Sequence, residues 1–190
     1  MSIVLIAGSP GSVSRTSALI AFIEGLLEAR GFQTDVFDAN EFDGNAVFFA
    51  DVADPQVVRY REAIAKADAV ILATPVYQAS FSGALKGLLD LVPQRGLKGK
   101  VVLPLATGGS DSHLLVIDYA MKPVLSALGA SNVLSGVYVS AGQLIRETVS
   151  TYRVEEEAST RIQRALDELI EALPAPAAVS GRANPRIAYA

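Results

Sequence analysis

The chain has 190 residues, 51% of them apolar, and carries 16 Lys plus Arg against 20 Asp plus Glu, a formal charge of -4. That length suits one domain with a sizeable core, and the mild acidity weighs against a nucleic-acid footprint. With no cysteine and a single histidine, His113, it excludes disulfide stapling, thiol nucleophiles, thiolate or histidine-rich metal sites and cysteine-held iron–sulfur clusters.

The apolar start lacks a basic flank and stops at Gly8, too short for a signal core, and no later run reaches transmembrane length. The expectation is a cytoplasmic protein without a membrane partner. Ile3 to Ala7 reads as a buried strand, followed by a Gly/Ser-rich turn and a helix from about Thr16 to Arg30 with Gly31 as its C-cap. Thr34 to Phe37 reads as a second strand, while Asp38 to Asp54 has no clear pattern. Asp54-Pro55 opens a helix that runs to about Ala67, and Ala69 to Ala73 is a third strand, ended by Thr74-Pro75. A helix from about Ser82 to Leu91 is stopped by Pro93. Lys100 to Ala106 is a fourth strand in which Pro104 demands a bulge or an irregular end. A helix follows from about His113 to Leu128, then a fifth strand from Val133 to Val139 and a last helix from about Glu155 to Leu173.

Unalternating apolar strands separated by amphipathic helices predict a parallel sheet covered on both faces. Five strands suit the flavodoxin-like, doubly wound α/β order 2-1-3-4-5 better than the six-stranded Rossmann order. The organisation expected is one domain over residues 1–174 and a tail over 175–190. The tail has no clean periodicity; disorder and a lie across a neighbouring subunit both stay open.

Ligands of such sheets bind beyond the carboxyl ends of the strands, so three loops matter. The first, Gly8 to Ser17, is neither a Walker A loop nor a Gly-x-Gly-x-x-Gly turn. It sets a row of hydroxyls and Arg15 where a strand hands over to a helix, a place that favours an anion. The second, Thr74 to Gly83, offers Tyr77 and Phe81 as possible walls for a planar ligand, with Ser80 or Ser82 as helix caps. The third, Ala106 to His113, has Gly108 and Gly109 for close backbone approach or positive φ. His113 has no partner spaced for catalysis, and no Gly-x-Ser-x-Gly elbow supports a serine hydrolase. An anion loop, an aromatic loop and a glycine loop at one sheet edge fit a phosphorylated planar ligand such as flavin mononucleotide.

At these residues the sequence resembles the NADPH-dependent FMN reductases, and within them the reductase components of two-component alkanesulfonate monooxygenase systems. The matching stretches are LIAGSPGSVSRTSAL, ADAVILATPVYQASFSGALKGLLDLVP and LKGKVVLPLATGGSDSHLLVIDYAMKPVLSALGA. The resemblance implies that Ser9, Arg15, Thr16 and Ser17 hold the FMN phosphate. It implies that Pro75, Val76 and Tyr77 line the isoalloxazine and that Thr107, Gly108 and Gly109 approach its edge. It further implies FMN and NADPH as the cofactor pair, FMN serving as a loosely held substrate, and delivery of FMNH2 to a partner monooxygenase that cleaves sulfonates. A homotetramer, a dimer of dimers, is implied too, with Tyr119 matching an inserted tyrosine in a π-bulge at the tetramer interface; an ordinary core or interface tyrosine is the other reading. Hydride transfer needs stacking and distance, so no side chain is nominated as catalytic and no metal is expected. Two further functions stay open: a reductase of quinones, azo dyes or metal oxyanions with tightly bound FMN, and a non-enzymatic flavodoxin-like electron carrier.

Overall fold

The computed structural model describes residues 1–149 and 151–174; the tail expected over 175–190 lies outside the described residues. Strand β1 (Ser2–Ala7) is apolar and buried from Ile3 onward because both of its faces are covered. It pairs in parallel with β2 (Gln33–Asp38) on one side and β3 (Ala69–Tyr77) on the other. The ladder continues through β5 (Val101–Gly108) to an outer strand made of two pieces, β6 (Asn132–Val133) and β7 (Val137–Ser140). The parallel order is β2-β1-β3-β5-β6/β7, which is the flavodoxin-like 2-1-3-4-5 when the five parallel positions are counted along the chain.

Helices α1 (Arg15–Glu28) and α6 (Glu156–Ala172) cover one face, burying Leu19, Ile23, Ile162 and Leu166 against Ile3, Leu5 and Leu103. On the other face, residues of α2 (Gly44–Phe48), α3 (Pro55–Lys66), α4 (Gly83–Asp90) and α5 (Lys122–Ala127) pack over Val4, Ile6, Leu72 and Val102. Each fully buried Leu, Ile or Val contributes about 1.5–3 kcal/mol, so the two layers together carry the fold. Caps fall where the sequence offers them: the Asp54 carboxylate accepts from the Gln56 and Val57 N–H groups at 2.9 and 3.1 Å, and Ser82 caps α4. No helix among the described residues is long and apolar enough to cross a membrane.

Several local expectations are corrected. β3 does not stop at Thr74-Pro75 but runs to Tyr77 and turns back as β4 (Ser80–Phe81). Beyond Ala73 its β1 neighbour has ended, so Pro75 sits where only the β5 side is paired, and an edge tolerates proline. Pro104 stays inside β5, and the irregularity falls on its neighbour: the outer strand breaks between Val133 and Val137. There Gly136 has φ 86°, and a Cβ on it would lie 2.6 Å from the Pro104 carbonyl oxygen. The segment after β2 forms a 3-10 turn (Ala39–Glu41) and then α2. A hairpin of β8 (Leu144–Arg146) and β9 (Tyr152–Val154), which the strand signals did not disclose, precedes α6.

The helix expected from His113 to Leu128 is composite. A 3-10 turn (Asp111–His113) leads to a π-helical turn (Ile117–Met121) and then to α5. Lys122 N–H bonds to the Ile117 carbonyl five residues back. The next residue, Pro123, has no N–H to offer the Tyr119 carbonyl, so the ordinary ladder is interrupted at that point.

Candidate active site

The parallel registers bring Asp38, Ala7, Ala73 and Ala106 to one edge of the sheet, and the loops that leave this edge enclose a cavity of about 530 Å³. Gly8 leaves β1 with its N–H bonded to the Ala73 carbonyl at 2.8 Å. Its own carbonyl accepts from the Ser82 hydroxyl, and a Cβ there would stand 2.6 Å from the Leu85 Cβ, so glycine lets α4 close onto the strand end.

Ser9 is buried, and its hydroxyl accepts from the Gly11 N–H at 3.3 Å, curling the loop. Ser14 takes extended geometry and caps α1, accepting from the Ser17 N–H at 2.9 Å. Arg15 is the first helical residue, is exposed, and has no ion-pair partner among the described residues. No acidic residue occupies the first turn of α1. A guanidinium with no ion-pair partner among the described residues, at the positive end of a helix, leaves this part of the cavity complementary to an anion. Arg15 is also the only ionic side chain among the residues that line the cavity.

The Thr16 and Thr107 hydroxyls share a buried hydrogen bond of 3.1 Å that ties the first loop to the end of β5. Thr74 binds the second loop in the same way, donating to the Pro75 carbonyl at 2.8 Å and accepting from the Ser82 N–H at 3.0 Å. The β3–β4 turn holds Gln78 and Ala79 at φ 48° and 61°, the signature of a type I′ hairpin. This turn leaves Tyr77 half exposed on the cavity wall.

Nine of the ten residues singled out for a ligand line this one cavity: Ser9, Arg15, Thr16, Pro75, Val76, Tyr77, Thr107, Gly108 and Gly109. Ser17 does not line it; its hydroxyl donates to Asp38 at 2.6 Å and meets Ser14 at 2.8 Å. Phe81 is likewise withdrawn from the lining and packs, partly buried, against the core. Neither Gly108 nor Gly109 has positive φ. Gly108 is required because a Cβ would lie 2.1 Å from the Tyr138 hydroxyl, which donates to the Ser110 carbonyl, whereas Gly109 faces open space. His113 is absent from the cavity lining and borders a separate small hollow with Tyr119. Ser14 and Tyr152 line the cavity although neither was singled out; Ser14 carried an N-cap signal, Tyr152 none.

Among the described residues no group of three His, Cys, Asp or Glu could hold a metal. The cavity offers an anion anchor, hydroxyls, backbone groups and two tyrosines, a set able to bind and orient a phosphorylated ring. Those donors fit the phosphate and ring of a flavin mononucleotide.

A family model described as NADPH-dependent FMN reductase matches residues 1–144. The chain is 41% identical over 171 residues to an FMN reductase (NADPH) of Escherichia coli (strain K12), covering 90% of this chain and 87% of that one. An FMN reductase (NADPH) of Pseudomonas putida is 45% identical over 144 residues, covering 76% and 73%. The NADH-dependent FMN reductase SfnF of Pseudomonas putida is 32% identical over 170 residues, covering 87% and 89%. Among solved structures, an apo NADH:FMN oxidoreductase (EMOB) superposes with a TM-score of 0.83 at 33% identity, covering 93% and 91%.

Proposed function

The chain belongs to the NADPH-dependent FMN reductase family and is an oxidoreductase that uses FMN and NAD(P)H, and on that premise we propose that the cavity beside Arg15 holds FMN by its phosphate. Bound FMN supplies the hydride-accepting ring. The chain supplies position: Arg15 and the N–H groups at the start of α1 anchor the phosphate, with Ser9 and Ser14 beside them. Pro75, Val76 and Tyr77 form one ring wall, and the Thr107–Gly109 backbone meets the ring edge. The Thr16–Thr107 hydrogen bond keeps the phosphate loop and the ring edge at a fixed separation.

A reduced pyridine nucleotide would supply the hydride, and the residues lining this cleft would serve to position it rather than to act as acid or base. We assign NADPH as the preferred donor, on the strength of the two NADPH-named relatives at 41% and 45% identity. We further propose that FMN is a released substrate and that FMNH2 passes to a partner sulfonate monooxygenase. The cavity's single ionic anchor suits weak holding of the flavin. Residues 1–174 form the catalytic domain in this reading, and the lack of cysteine suits a reducing cytoplasm.

The observation that carries the site is Arg15, unpaired at the start of α1 in a cavity with no other ionic group. Arg15→Ala should weaken FMN binding about 10- to 100-fold, from the loss of a charge-assisted contact worth roughly 1.5–3 kcal/mol. Riboflavin, which has no phosphate, should bind both forms alike. Fluorescence titration reads both, and equal FMN Kd values would remove the assignment.

A further inference from the structure

We propose that Tyr152 sets the flavin specificity of this cleft by closing its phosphate end, so that a mononucleotide flavin fits and the adenylyl extension of a dinucleotide flavin does not. The inference rests on the placement of the FMN phosphate at Arg15. Tyr152 belongs to the β8–β9 hairpin, outside the main sheet, yet it lines the same cavity as Ser14, Arg15 and Thr16. β9 packs beside α1, the helix that begins with Arg15, and from this proximity we place the ring at the phosphate end of the cleft.

The ring has a cationic neighbour within the hairpin. Arg146 lies opposite Tyr152 in the hairpin register, and its guanidinium carbon is 5.8 Å from the ring centroid. That guanidinium is itself fixed, donating to the Thr148 carbonyl at 3.1 Å and to the Val149 carbonyl. The hairpin base is anchored too: Leu144 is buried in the core, and the Glu155 N–H bonds to the Gln143 carbonyl at 2.9 Å. An aromatic wall supported in this way costs nothing to a ligand that ends in a phosphate. It obstructs one that must continue past the phosphate, which is discrimination by exclusion.

The test is equilibrium binding of FMN, FAD and riboflavin, read by flavin fluorescence without pyridine nucleotide. Tyr152→Ala should shrink the preference for FMN over FAD by roughly tenfold or more, within the range that pocket shape supplies. Tyr152→Phe should keep the wild-type ratio, because bulk and not the hydroxyl excludes the extension. Tyr152→Val, a good strand former, gives the same reading if the alanine variant does not fold. An unchanged FMN-to-FAD ratio in a folded Ala or Val variant overturns the proposal, as does a loss of FAD affinity, which would mean that the ring stacks on the adenine. If Arg15→Ala leaves FMN and riboflavin distinguished as in the wild type, the phosphate placement fails and the proposal falls with it. If Arg15→Ala abolishes that distinction while the Tyr152 variants change nothing, Tyr152 alone is wrong.

Discussion

Tyr60 is completely buried between Phe37 and Phe42, with ring centroids 5.2 and 5.7 Å away in edge-on contacts. Its hydroxyl finds no hydrogen-bond partner among the described residues, and burial pushes its pKa well above the ordinary value of 10.0. Removing an unsatisfied buried hydroxyl while keeping the ring should help, so Tyr60→Phe is expected to stabilise the protein by about 1 kcal/mol near neutral pH. Above pH 10.0 the unfolded tyrosine ionises while the buried one stays neutral, so wild-type stability falls with rising pH and the advantage of Phe grows. Urea denaturation at pH 7 and at pH 10.5 checks both parts; a difference that does not grow with pH contradicts the second. At this scale the site was readable wherever a residue type has one dominant use. Arg15 stands at a helix start with no acidic residue in the first turn, and that much follows from chain order. Ser17 was not separable from its neighbours, since its hydroxyl is claimed by Asp38, a residue 21 positions away that only the sheet register brings near.

At the scale of elements, the β3–β4 hairpin places Tyr77 on the cavity wall through a turn in which both central residues, Gln78 and Ala79, have positive φ. Neither is the Asn or Gly such turns favour, so the conformation is strained. Ala79→Gly should raise stability by roughly 1 kcal/mol, visible as a higher Tm. An unchanged or lower Tm would mean that the type I′ geometry is not the one adopted. The strands and helices that build the sheet were legible because their apolar runs and caps are local signals: Asp54-Pro55 opens α3 where expected. This hairpin was not, because Pro75 reads as a strand end unless it is known that β1 has already stopped alongside. The β8–β9 hairpin escaped for a related reason: its strands have three residues each and bury only Leu144 fully, too little for a periodic pattern.

At the scale of the whole molecule, the π-helical turn carries an apolar surface. Tyr119 is 79% exposed, and the nearby Leu114 and Leu115 are about half exposed. Large side chains of this kind, grouped on one irregular helix, suit a subunit contact. We expect the protein to be a homotetramer, a dimer of dimers with Tyr119 in the contact between dimers. Light scattering after size exclusion should therefore give a tetramer for the wild type and a dimer for Tyr119→Ala. A monomeric wild type, or an unshifted variant, contradicts that assembly. A π-turn cannot be read from residue types alone, although Pro123 marks the place where an ordinary helical ladder must fail.

We propose that this chain borrows its redox chemistry from flavin and pyridine nucleotide and contributes a cleft anchored on the flavin phosphate. Steady-state NADPH oxidation with FMN, FAD and riboflavin as separate acceptors tests it most directly. Oxidation should depend on added flavin, with kcat/KM highest for FMN. No flavin-stimulated oxidation, or riboflavin serving as well as FMN, would contradict the account.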